Sequence, residues 1–187
     1  KHEALDRRNK ALLIDHLKYT YGDQKGQVNF LINNVFNYEK SGLKRNWFFV
    51  DLACAGGVRI NNCYFLEKYL GWTGLLFEPN PDYNESIKAH RTSQLITACV
   101  TDSANDTVRF KIDNGILSGI VSNDTDNNDA IRGNELKKAE IIEIATTTLL
   151  LELDKINAPK LIDFLSLDIE GAEWIALRNF DFNKYKF

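Results

Sequence analysis

The sequence predicts an α/β domain built on a doubly wound parallel sheet. Short apolar runs closed by an acidic residue recur at 47–52, 73–77 and 162–168, as expected of strands buried on both faces of a parallel sheet. Segments of helical periodicity separate them, the alternation that builds βαβ units. The 187 residues fall well short of the ~250 typical of eight such units, so an open sheet is expected instead of a barrel.

Taken in order, residues 1–45 read as helices covering the sheet, because Leu5, Leu12, Ile14 and Leu17, then Val28, Leu31, Val35 and Phe36, recur near helical spacing among charges. Residues 46–187 complete a single folded unit. The first strand, 47–52, opens into a glycine-containing turn at 53–57. A helix over 61–70 follows, with Gly71 placed as its C-terminal stop. The second strand, 73–77, is closed by Glu78. Asn80 and Pro81 suit the N-cap and first turn of a helix reaching about residue 89. Residues 94–100 read as a third strand and 107–112 alternate like an edge strand. The stretch 123–128 reads as a polar loop outside any core. A strand at 141–145, a short helix at 149–156 stopped by Pro159, the strand 162–168 and a helix beginning over 171–177 complete the pattern.

Composition narrows the functions. With 44% hydrophobic residues the chain can bury a core, and 23 basic against 26 acidic residues give a net charge of −3 with no basic stripe, which argues against nucleic-acid binding. No apolar run approaches the ~20 residues of a membrane span, and the charged start has no signal-peptide core. Cytoplasmic residence is therefore expected, although sequons at Asn84, Asn105 and Asn123 would matter in a secretory lumen. Cys54, Cys63 and Cys99 match no zinc or disulfide spacing and are expected as buried thiols. His2, His16 and His90 make no metal set. The oligomeric state is left open.

Ligands of doubly wound sheets bind outside the carboxyl ends of the strands. After the first strand, Ala53 and Ala55 stand where a dinucleotide fingerprint needs its first two glycines, which disfavours a pyrophosphate and hence NAD. S-adenosyl-L-methionine has no phosphate and asks instead for a tight turn, an acid for its amino group and a second acid for its ribose. Asp51 and Glu78 end the first two strands and supply such a pair. Asp102, after the third strand, suits either an adenine amino group or ordinary turn chemistry. Asp168 and Glu170 flank the end of the 162–168 strand, where an acceptor hydroxyl can be positioned or deprotonated. The competing reading, acids complementing a helix N-terminus, suits Glu173 and Glu170 better than Asp168.

Three blocks, Phe49-Val-Asp-Leu-Ala-Cys-Ala-Gly-Gly-Val58, Tyr64-Phe-Leu-Glu-Lys-Tyr-Leu-Gly-Trp-Thr-Gly-Leu-Leu-Phe-Glu-Pro-Asn-Pro81 and Ile162-Asp-Phe-Leu-Ser-Leu-Asp-Ile-Glu-Gly-Ala-Glu173, resemble the FkbM family of S-adenosylmethionine-dependent methyltransferases. The resemblance extends over about residues 26–182. It implies a Rossmann-like class I methyltransferase fold over 46–187 and O-methylation of a small-molecule or glycan hydroxyl. It also implies that Asp51, the turn at Ala53, Gly57 and Glu78 meet the cofactor, that Asn62 begins the helix beside it, and that Asp168 and Glu170 lie on the reaction side. The sequence departs from the family in having Ala53 where glycine is usual and Gly56 where an acid or polar residue is usual. These departures, together with Ala55, motivate the alternative of a catalytically inactive binding module. The chain also stops at Phe187, ahead of the last strands such a fold carries, so the sequence is read as lacking its C-terminal strands.

Overall fold

The computed structural model describes residues 7–8, 25–37, 42, 44–112 and 117–187. Most of the expected helical cover over 1–45 lies outside the described residues. Within them a short helix, α1 (Gln27–Phe30), runs into a π-helical turn, Leu31–Val35, and buries Val28 and Ile32.

The first apolar run forms β1 (Phe48–Leu52), and its alternate side chains explain why it is apolar throughout. Phe49 packs on one face with Phe65, Leu66 and Leu70 of α2 (Tyr64–Leu70), whereas Val50 and Leu52 pack on the other with Leu149 and Leu153 of α5 (Leu149–Lys155). Gly71 ends α2 with φ 71°, a conformation that glycine adopts without a Cβ penalty. β2 (Thr73–Phe77) pairs parallel to β1. Asn80 then accepts from the Asp82 N–H at 3.0 Å, capping a 3₁₀ turn, Pro81–Tyr83, that continues into α3 (Asn84–His90).

The third expected strand is two strands. β3 (Gln94–Ile96) pairs with β2, and β4 (Cys99–Val100) pairs with β7 (Glu140–Thr147) in a second sheet. β5 (Thr107–Ile112) is an interior strand, correcting the edge assignment: it lies antiparallel between β7 and β6 (Gly119–Ile120). The polar stretch 123–128 is also more embedded than its composition suggests, with Thr125 and Asn127 buried. The Thr125 hydroxyl donates to the Ile120 carbonyl at 2.6 Å. Asn128 caps α4 (Asp129–Leu136). β8 (Phe164–Leu167) completes the first sheet and α6 (Glu173–Leu177) follows it. The chain is thus a mixed α/β structure: a four-stranded parallel sheet, order β3-β2-β1-β8, with helices on both faces, beside a second sheet of order β4-β7-β5-β6.

Candidate active site

Parallel pairing brings the candidate acids together. β1 lies between β2 and β8, with Leu52 opposite both Phe77 and Leu167, so Asp51, Glu78 and Asp168 stand along one carboxyl-end rim. A cavity of about 270 Å³ lies between this rim and strands β4, β5 and β6, just below the ~300–1,000 Å³ usual for small-molecule sites. Asp51, Ala53, Asn62, Glu78, Asp168 and Glu170 all line it.

Asp51 is 2% exposed and its Oδ2 accepts from Asn61 Nδ2 at 2.8 Å. Burial pushes its carboxyl above the ordinary range, while the nearby Arg91 charge and hydrogen bonds from Asn61 and Ser166 pull the other way. Asn62 Nδ2 donates to Ser166 Oγ at 3.2 Å, so the asparagine expected at the helix start supports the strand opposite Asp51.

Glu78 ties the first two strand ends to each other. Its Oε2 accepts the Ala55 N–H at 2.7 Å and its Oε1 the Asn80 N–H at 2.9 Å. Burial raises its pKa to about 7 against the pull of those two bonds. Each oxygen retains acceptor capacity for a ligand hydroxyl. The turn that Glu78 holds is unusual for its residues: Ala53 and Ala55 have φ 66° and 47°, a region that costs a non-glycine residue about 1–2 kcal/mol. The Phe77 carbonyl compensates by accepting the Ala53 and Cys54 N–H groups at 2.9 and 3.1 Å.

On the β8 side Asp168 is exposed at the rim. Glu170 has φ 60°, and its Oε2 accepts from Arg132 Nη2 at 2.6 Å. Glu173 lies in the first turn of α6, where an acid complementing the helix dipole was expected, and accepts the Ile169 N–H at 2.8 Å. Gly57 and Asp102 lie outside the cavity lining. Gly57, at φ 78°, sits where a Cβ would come within 3.2 Å of Ile87 and 3.3 Å of Arg91. The Asp102 carboxylate pairs with Arg178 at 2.7 Å. All three cysteines are buried free thiols; Cys99 lines the cavity, and burial, then the nearby Glu78, raise its pKa to about 12.

Sequence reasoning missed Asn61, Arg91, Arg132 and Ser166. The Asn61-Asn62 pair ahead of a helix is a capping signal that points to Asn61. The two arginines, one just past the end of α3 and one within α4, carry none.

Comparison with family models matches residues 52–187 to the Methyltransferase FkbM domain. The chain belongs to the FkbM methyltransferase family. Comparison with curated proteins and with solved structures finds no significant match. The FkbM match begins at Leu52, one residue after Asp51, and includes Glu78, Arg132, Asp168 and Glu170. Among the described residues no helix is long and apolar enough to cross a membrane.

Proposed function

We propose that the protein is an S-adenosylmethionine-dependent O-methyltransferase whose acceptor is a hydroxyl of a sugar or another small molecule. We read the β3-β2-β1-β8 sheet as part of a Rossmann-like, doubly wound arrangement, with the order reversing at β1. The observation that carries the proposal is the pair Asp51 and Glu78, at the ends of adjacent parallel strands and lining one cavity, with Glu78 inside the matched methyltransferase domain and Asp51 one residue ahead of it. Those residues fit the cofactor: Glu78 to hold the ribose hydroxyls, Asp51 to hold the ammonium, and Phe77, Cys99, Val100 and Phe110 as an apolar wall for a purine. When bound, S-adenosylmethionine supplies a methyl group activated by its sulfonium charge.

The chain's own contribution is mainly orientation, which can be worth up to ~7–11 kcal/mol in ideal cases. Asp168 is the carboxylate we assign to receive the acceptor hydroxyl proton, since it is exposed at the rim whereas Glu170 is held by Arg132. The inactive-module alternative rests on Ala53, Ala55 and Gly56. Against it, Ala53 and Ala55 adopt the left-handed backbone that glycine would supply, so the form of the turn survives the substitutions. The test is release of S-adenosylhomocysteine on incubation with S-adenosylmethionine and a panel of monosaccharides and small alcohols. Acceptor-dependent release is expected, and its absence across the panel, with the methyl donor bound, would favour the inactive module.

A further inference from the structure

Arg91 lies behind the turn, outside the cavity lining, and its side chain is 1% exposed. A guanidinium buried that deeply is costly unless its surroundings compensate it. Its Nε donates to Glu67 Oε2 at 2.8 Å, and its Nη1 donates to the Gly57 carbonyl at 2.9 Å and to Asn61 Oδ1 at 3.1 Å. It also stands 5.7 Å from the Phe49 ring centroid and 5.9 Å from that of Tyr64, within reach of cation–π attraction. Glu67 in turn accepts the Thr92 and Ser93 N–H groups, which anchors the segment carrying Arg91.

Asn61 links this cation to the rim. Its Oδ1 accepts from the Cys63 and Tyr64 N–H groups at 3.0 and 2.7 Å as well as from Arg91. Three donors on the oxygen leave the amide one orientation, with Nδ2 aimed at Asp51 Oδ2 at 2.8 Å and at the Cys54 carbonyl at 3.0 Å. We propose that Arg91 is a positioning residue for the methyl-donor site, fixing the Asn61 amide that holds Asp51 and pinning the 53–57 turn through the Gly57 carbonyl. The proposal rests on the reading of Asp51 as a cofactor ligand.

The groups facing Asp51 are Asn61 and Cys63 ahead of α2, Cys54 in the turn, Ser166 on β8, Glu78 beyond β2 and Arg91 beyond α3. Arg91 is the cation among them, so its loss leaves Asp51 harder to ionise. A residue acting only on stability would lower the melting temperature without moving the titration of Asp51.

The experiment follows the Asp51 carboxyl by ¹³C NMR in the ligand-free protein, and S-adenosylhomocysteine affinity by calorimetry over the same pH series, in the parent, Arg91→Gln and Arg91→Lys. In Arg91→Gln the Asp51 midpoint should rise by about one pH unit, within the range of a neighbouring charge. The acid limb of the affinity profile should move with it, about tenfold in affinity on that limb. Arg91→Lys should keep the midpoint near the parent's and still bind several-fold more weakly, because one ammonium cannot serve Glu67, Gly57 and Asn61 together. An unmoved Asp51 midpoint in Arg91→Gln overturns the proposal. If that variant does not fold, parent-like affinity in Arg91→Lys overturns it instead. A parent that binds no S-adenosylhomocysteine sinks the cofactor reading, and the ligand-free titration still decides whether Arg91 governs Asp51.

Discussion

On the β1–β2 side of the cavity, both carboxylates are buried and already serve the protein: Asp51 is held by Asn61, and Glu78 bonds the backbone of two loops. On the β8 side, Asp168 is exposed and Glu170 has Arg132 as its side-chain partner at 2.6 Å. On the proposed reading, the difference separates two tasks. A ligand held mainly through its ribose and amino group needs donors and acceptors placed in advance, and burial with backbone hydrogen bonds provides that. A group that receives a proton needs access to the reacting atom and to solvent, which the β8 rim provides.

Exchanging carboxylates for amides tests that division of labour. Asp168→Asn should lower methyl transfer by about a hundredfold or more, the lower end of what a positioned base contributes. S-adenosylmethionine affinity should stay within about threefold, roughly 0.65 kcal/mol, as calorimetry would measure. Unimpaired turnover would remove Asp168 from the reaction, and lost affinity would move it to the donor side.

Glu78→Gln should act in the opposite sense, weakening S-adenosylhomocysteine binding by about 1.5–3 kcal/mol, the scale of hydrogen bonds to a charged group. Unchanged affinity would reduce Glu78 to a tie between loops. The same substitution tests burial through pH. The Glu78 pKa is raised from 4.5 to about 7, so the folded chain binds more protons than the unfolded one between those values. Its contribution to stability is therefore full below about pH 4.5 and lost as pH rises through about 7. Denaturant titrations of the ligand-free protein should show that decline in the parent, with the change with pH in the difference between parent and Glu78→Gln confined to this window. A difference independent of pH would mean that Glu78 is not buried as described.

The smallest effect is expected at the turn. Ala53→Gly relieves a left-handed alanine, so stability should rise by no more than about 1 kcal/mol, the relief being offset by the freer unfolded chain. Donor affinity should stay the same or improve. Abolished binding would mean that the turn depends on the Ala53 methyl group.

What was legible follows the same division. β1 and β2 stood out because strands covered on both faces are apolar throughout, and an acid ending each one marks the rim. The break between β3 and β4 was invisible, since residues 94–100 stay largely apolar while the hydrogen-bonding partner changes from β2 to β7. The interior place of β5 was hidden for a related reason: alternation reports which faces are buried and says nothing about how many edges are paired. Thr125 read as loop because a polar residue enters a core with hydrogen bonds in place, and composition does not show those bonds. Asp51 and Glu78 were found through their position at strand ends. Arg91, just past α3, and Arg132, within α4, meet their partners through tertiary contacts that no local pattern encodes. Asp102, which the sequence left open between an adenine contact and turn chemistry, pairs with Arg178 outside the cavity lining.

The most direct test of the account is calorimetric titration of the parent protein with S-adenosylhomocysteine and, separately, with NAD. Asp51 and Glu78 with a turn lacking the pyrophosphate glycines predict saturable binding of S-adenosylhomocysteine, accompanied by a rise in melting temperature worth ~2.7 kcal/mol at a hundredfold excess over the dissociation constant, and no binding of NAD. Binding of NAD alone, with S-adenosylhomocysteine inert, would contradict it.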